Sequence, residues 1–266
     1  MLMRAYRSRI LSTLTMAALC VAVVLCGQPA GAGQHRKFAD LDGKRIGVLN
    51  GTTFEYLVNE TLDYTRLQMY SELDVMLGDL LNGKIDCIVD DEPVLRYLSA
   101  RNPRLRMLDE RLAEDNYGLV FRKDETDLVA QFDVVIATLQ KEGLLDAMAE
   151  KWMRGLDESP AETEATTGTR LVRLGVYAEA PPFVFVTKDG KVAGLDVELV
   201  RSICRRLGFR LELSAYGEFD AIFDALEAGE VDVIAACISI TEDRKRRFAF
   251  TIPYYRAGPA AMVLAD

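Results

Sequence analysis

Histidine is almost absent from this chain: His35 is the sole example among 266 residues. A cluster of imidazole ligands around a metal, and any hydrolytic triad that needs a histidine base, are therefore excluded. Cysteine is sparse, with five residues at wide spacing (Cys20, Cys26, Cys87, Cys204 and Cys237). Neither a disulfide framework nor a thiolate metal centre is expected, and the three that follow residue 32 read as buried free thiols, two of them inside strands. Positive charge is in deficit, since 32 Lys and Arg against 41 Asp and Glu give a net charge of −9. That balance argues against nucleic acid or an anionic membrane surface as a partner. The basic run Arg244-Lys245-Arg246-Arg247 is too short and isolated to reverse it. Long apolar runs are confined to residues 10–26.

That one run has a context. Arg4, Arg7 and Arg9 precede it and Ala30-Gly31-Ala32 follows it, the parts of a secretory signal cleaved after Ala32. Kept uncleaved, the run stands near the lower length limit for an anchor. Cys20 and Cys26 each follow a leucine, where a lipoprotein site takes a small residue. Cleavage removes three positive charges and leaves 29 basic against 41 acidic residues, a net of −12. The mature chain is expected outside the cytoplasmic membrane.

What remains divides into two blocks that echo each other. Arg45-Ile46-Gly47-Val48 opens the first as Arg173-Leu174-Gly175-Val176 opens the second. Leu80-x-x-Gly83-x-Ile85-Asp86-x-Ile88 matches Leu226-x-x-Gly229-x-Val231-Asp232-x-Ile234: a helix, a glycine stop, then a buried strand. Phe219, Ile222, Phe223 and Leu226 fall at i, i+3, i+4 and i+7 before Gly229, and Leu73, Met76, Leu77 and Leu80 do the same before Gly83. A further helix carries Val197, Val200, Ile203, Cys204 and Leu207 and stops at Gly208. Helices of this length alternating with strands imply parallel βαβ units and two α/β lobes. Residues 155–169 are polar, acidic and aperiodic and read as a linker. The divisions are a signal peptide at 1–32, one half at 33–154, the linker, and the other half at 170–266.

Residues 229–255 carry the densest chemical signal. An apolar strand at 231–236 leads to Ser239, Thr241 and Arg244 in a short loop that opens a helix. Backbone N–H groups, two hydroxyls and a guanidinium there converge as a carboxylate requires. A capped helix with a solvated basic face gives the same spacing. Thr52 and Thr53 follow Gly51 at another strand-to-helix turn, where N–H groups point outward or the threonines simply cap. Asp91 closes the strand at 85–89 and precedes Glu92-Pro93; a strand end in an α/β lobe is where ligands are met. Because side chains alternate along a strand, Asp90 or Glu92 could be the one that faces the cleft.

The wording of residues 170–266, with Pro181-Pro182-Phe183, Asp189-Gly190-Lys191-Val192-Ala193-Gly194-Leu195-Asp196 and the turn above, resembles the first lobe of the periplasmic amino-acid-binding proteins of ABC transporters. These are the bacterial extracellular solute-binding proteins of family 3, with the type II periplasmic-binding (Venus flytrap) fold. Residues 41–152 resemble the second lobe and C-terminal helices of that family, so the halves stand in reversed order, as in a circular permutant; pieces of two units of a tandem array are the other picture. In the permutant picture the family's first crossover between lobes ends near 261–266 and resumes near 38–41. That crossover is then cut at the hinge, while the one at 117–122 stays continuous and leads to helices that pack on the first lobe.

The resemblance implies roles. Arg244 matches the carboxylate-binding arginine, Ser239 and the Ala236 and Cys237 backbone match its turn, and Thr52 and Thr53 match second-lobe donors. Asp91 matches the acceptor of the ligand ammonium, and Phe219 the residue that packs on the ligand side chain, unless its place on the apolar helix face puts it in the core. Tyr177 stands where many relatives carry aspartate, Ala180 where they carry an aromatic, and Glu179 lies between, so the ligand side chain cannot be carried over. The implied protein is a monomer that binds a free amino acid by lobe closure and delivers it to an ABC permease, with no cofactor, metal or catalysis. A ligand-sensing receptor module and a prephenate- or arogenate-dehydratase-like enzyme, with Glu179, Asp90 or Glu92 as proton donor, are the alternatives.

Intact-mass measurement on exported protein is expected to show a chain that starts at Gly33; a mass that retains residues 10–26 would mean an anchor instead.

Overall fold

The computed structural model describes residues 37–110, 113–154, 168 and 170–265. The signal segment read at residues 1–32, His35 and all of the 155–169 linker except Gly168 lie outside the described residues. The described residues form one compact unit.

Two five-stranded sheets organise it, each with one βαβ-derived core and one strand supplied from the opposite half of the chain. In the first, which we term lobe N, Arg45–Leu49 lies between Arg66–Tyr70 and Cys87–Asp91, parallel to both, and Pro259–Leu264 follows antiparallel before the edge strand Leu105–Met107. In the second, lobe C, Arg170–Tyr177 lies between Phe209–Tyr216 and Val233–Ala235, again parallel, and Val120–Arg122 follows antiparallel before Phe248–Phe250. The inner strands are buried on both faces, and Ile46, Val48, Ile88, Val89, Val172, Leu174, Val176 and Ile234 are sealed from solvent. That is why they read as continuous apolar runs and not as alternation.

The repeat seen in the sequence is reproduced atom for atom. Arg45 donates from its backbone N (2.8 Å), Nε (2.9 Å) and Nη2 (2.6 Å) to the Asp86 carboxylate. Arg173 donates from the same three atoms to Asp232 at 2.9, 3.0 and 2.6 Å. Each pair fastens the first strand of its lobe to the start of the third. The helices fall where the apolar spacing puts them, at Leu73–Leu81, Leu195–Leu207 and Phe219–Glu227. Those at Thr126–Lys141 and Leu144–Arg154 pack on Leu195–Leu207 of lobe C, and Trp152 Nε1 donates to Glu198 at 2.6 Å.

The chain passes between lobes twice, and the passages pair with each other. Asp115–Tyr117, on the way to Val120–Arg122, runs antiparallel to Tyr255–Ala257, on the way to Pro259–Leu264, with Tyr117 opposite Tyr255. Both passages are continuous, contrary to the expectation that one is cut at the hinge: the apolar segment 259–264 is long enough to cross and then join lobe N as a full strand. Two local readings also need correction. The strand expected at 231–236 is Val233–Ala235, and Cys237 sits past its end in a left-handed turn (φ 44°). Cys204 is in the helix where the spacing put it, so with Cys237 outside the strand only Cys87 of the three thiols is in one; all three are free and buried.

Gly194, which starts the helix Leu195–Leu207, has φ 128°, and a Cβ there would stand 2.0 Å from the Phe183 carbonyl oxygen. Gly194→Ala is expected to lower stability by about 2–4 kcal/mol through combined backbone strain and overlap, read as a drop in denaturant midpoint.

Candidate functional site

A cleft between the lobes gathers side chains from both. Lobe C supplies Tyr177, Glu179, Phe219, Ala236, Cys237, Ser239 and Arg244. Lobe N supplies Thr52, Thr53, Asp90 and Asp91. Leu49, Phe54, Val94 and Ala180 form its apolar wall. Every residue that the resemblance places at the ligand thus lines one space. Glu92 is directed elsewhere, taking Nε of Arg96 at 2.7 Å.

Arg244 belongs to the helix Glu242–Arg247, whose first turn is capped by the Thr241 hydroxyl accepting from Arg244 N at 3.2 Å. Its guanidinium donates to the Ser239 carbonyl (3.2 Å) and, across the cleft, to the Gly51 carbonyl (3.1 Å). The guanidinium carbon lies 5.7 Å from the Phe219 ring centre and 5.4 Å from that of Phe223, close enough for a cation–π contribution. Phe219 therefore serves core and cleft together. Burial lowers the Arg244 pKa, opposed by the nearby Asp115, Asp91 and Asp220 carboxylates; arginine stays charged regardless.

The turn before Arg244 is held from behind. Asp196, fully buried, accepts from the Cys237 backbone N at 2.9 Å and so fixes the left-handed turn that aims Ser239 and Cys237 into the cleft. Asp196 was visible in the sequence motif without a role. On the opposite wall, the Thr52 hydroxyl donates to the Leu49 carbonyl at 2.7 Å, and Thr53 caps the helix Phe54–Thr61 by position without a side-chain capping bond.

Two adjacent carboxylates meet at the end of Cys87–Asp91. Asp91 accepts from the Tyr117 hydroxyl, with the Cys237 thiol nearby. Burial, then the Asp90 charge, raises its pKa well above the usual range. Asp90 uses Oδ1 to accept from Asp91 N at 2.7 Å, while its buried Oδ2 has no partner; burial pushes its pKa up to about 7. The alternation argument admitted only one of the two residues, but the strand ends here and both reach the cleft. Tyr117 is the contact that the sequence did not signal, because it comes from the hinge ribbon.

Two bonds besides that of Arg244 bear on closure. Leu73 N of lobe N donates to Glu179 Oε2 at 2.8 Å, and the Tyr177 hydroxyl donates to the same oxygen at 3.2 Å. Gly51, at φ 73°, lets the lobes touch: a Cβ there would stand 1.6 Å from Asp220 Oδ1. The enclosed space is about 30 Å³, room for roughly two waters. Any larger occupant enters by separation of the lobes.

Residues 172–266 match the model of the bacterial extracellular solute-binding proteins, family 3. Over 95 residues the chain is 36% identical to the L-arginine-binding protein of Pseudomonas aeruginosa, a stretch of 36% of each chain. Over 114 residues it is 32% identical to the L-cystine-binding protein TcyJ of Escherichia coli, covering 42% of this chain and 43% of that one. The chain thus spans less than half the length of these relatives. Among solved structures, the GluR0 ligand-binding core with L-glutamate aligns over 84% of this chain and 85% of its own, with 8% identity and a TM-score of 0.46. The family resemblance read from residues 170–266 is borne out over the matched segment.

The buried acids make a pH prediction. Asp90 keeps its proton in the folded protein up to about pH 7, whereas an unfolded aspartate releases it near pH 3.9. The folded state binds the extra proton between these values, so stability is full below about pH 4 and falls as pH rises to about 7. Asp196, raised to about 6 by burial, acts in the same direction. Without ligand, the protein is expected to be more stable at pH 5 than at pH 8. Asp90→Asn should flatten that slope, with a gain at pH 8 of up to about 4 kcal/mol, measured by urea unfolding at the two pH values.

Proposed function

We propose that this chain, whose residues 172–266 match the family 3 solute-binding proteins, captures a free L-amino acid by closing its two lobes and presents it to an ABC importer outside the cytoplasmic membrane. The observation that carries the reading is the placement of Arg244 and Asp91 on opposite lobes, both lining one enclosed cleft. A free amino acid carries a carboxylate and an ammonium on one carbon, and bridging these two residues draws the lobes together. The carboxylate takes Arg244 from the Gly51 carbonyl, with the Thr52–Thr53 turn as further donor. The ammonium takes Asp91 from the Tyr117 hydroxyl. Capture is thus an exchange of contacts that the two lobes already make, coupled to hinge motion. No acid–base role is assigned to Asp90 or Glu179, and the matched family consists of binding proteins.

The reversed order of the halves is read as a circular permutation, with 33–154 and 170–266 forming one binding unit, joined by the 155–169 linker and acting as a monomer. The reciprocal strand exchange within one chain supports this: each sheet gains its fourth strand from the other half.

Arg244→Ala and Asp91→Ala are each expected to weaken amino-acid binding by about 2–5 kcal/mol, the loss seen when one member of a desolvated charge pair is truncated, with the fold retained. Calorimetry on the monomeric protein checks this. Deaminated or amidated analogues that bind as well as the parent amino acid would overturn the reading.

A further inference from the structure

The charges around the cleft do not balance once the α-carboxylate and α-ammonium of an amino acid are matched to Arg244 and Asp91. Asp90 and Glu179 are left over, and among the described residues no Lys, His or second Arg lines the space. These two acids occupy the same end of the cleft. The Tyr177 hydroxyl donates to Glu179, and the charges of both Glu179 and Asp90 raise the Tyr177 pKa after burial itself, so the phenol lies in the field of both. Asp90 is 4% exposed and its Oδ2 has no hydrogen-bond partner. A buried carboxylate oxygen without a partner is costly; Asp196 Oδ1 is another such oxygen among the described residues, but it lies behind the Cys237 turn, whereas Asp90 lines the cleft. Asp115 and Asp220, which bear on Arg244, deepen the negative field. Tyr177, Glu179 and Asp90 line the same cleft as Arg244 and Asp91.

We infer that the occupant is an amino acid whose side chain ends in a cation, a guanidinium or an ammonium, which pairs with the unpartnered oxygen of Asp90 and with Glu179 beside the Tyr177 hydroxyl. This rests on the amino-acid-binding reading and narrows it to basic amino acids. A flat guanidinium has donors for two carboxylates and a phenol oxygen at once, and an ammonium has three donors for the same three acceptors. A neutral side chain leaves Asp90 either protonated or unpaired, and an acidic one meets two like charges at close range. The space of about 30 Å³ between the lobes is too small for such a side chain, so the lobes stand further apart around a basic amino acid than they do in this structure.

The test is calorimetric titration of the protein at pH 7.5 with arginine, lysine, ornithine, glutamine, alanine and glutamate, repeated on Asp90→Asn and Glu179→Gln, with circular dichroism as the check on folding. The expected result is at least 30-fold tighter binding of arginine or lysine than of glutamine or alanine, and a fall of at least tenfold in that ratio in Asp90→Asn. Glu179→Gln should lower the ratio as well. If glutamine or alanine binds as tightly as the basic amino acids and Arg244→Ala abolishes their binding, the cation assignment falls and the amino-acid reading stands. An unchanged arginine-to-glutamine ratio in a folded Asp90→Asn also overturns the assignment. If none of the six binds, the amino-acid reading falls and takes this inference with it.

Discussion

Neither sheet is complete without a strand from the other half of the chain. Val120–Arg122 enters lobe C between Val233–Ala235 and Phe248–Phe250, and Pro259–Leu264 enters lobe N between Cys87–Asp91 and Leu105–Met107. The inserted strands are buried, with Val120, Phe121, Ala261 and Met262 sealed from solvent, so withdrawing one exposes core and unpairs a sheet on both of its sides. Everything at the cleft follows from this reciprocity. It puts the end of Cys87–Asp91, with its two carboxylates, opposite the turn that carries Cys237, Ser239 and Arg244, and it restricts relative motion of the lobes to the paired passages between them.

The cleft reverses the usual management of buried charge. Three acids outside the cleft are matched to cations or donors: Asp86 and Asp232 each take three bonds from an arginine, and Glu198 takes Trp152 and Lys151. At the cleft, Asp90 has an oxygen with no partner among the described residues, as does Asp196 Oδ1 behind the turn, and Asp91 is held by a phenol instead of a cation. The Cys237 thiol is no nucleophile there, since burial and the neighbouring Asp91 raise its pKa well above the normal value. Stability is given up at the place where a ligand can restore it, as preorganised binding sites require.

How much of this was legible varies with the range of the interaction that decides it. Helices were readable because periodicity is local: Phe219, Ile222, Phe223 and Leu226 marked one face, and Gly229 and Gly83 terminate their helices with positive φ (73° and 69°). The repeated Arg and Asp positions were readable as a pattern, and their shared geometry explains why both blocks keep them. The strand exchange was not, because segments 120–122 and 259–264 are short apolar runs that could pair with any edge, and only the assembled sheets choose. The Cys237 turn escaped for a related reason: a non-glycine residue at φ 44° gives no sequence sign, and its conformation is imposed by Asp196, 41 residues away. At the carboxylate pair, strict alternation failed because pleating no longer governs direction where the strand gives way to the helix Glu92–Arg101.

Tyr117 holds two positions at once. Its backbone belongs to the ribbon paired with Tyr255–Ala257, its ring stacks on Tyr255 with centroids 6.0 Å apart, and its hydroxyl rests on Asp91. Twisting the ribbon therefore displaces that hydroxyl from the carboxylate, and a cation that claims the carboxylate pushes back on the ribbon. The pivot of the molecule and the electrostatic state of its cleft share one mechanical coordinate, in the way that the axle of a balance also carries its pointer.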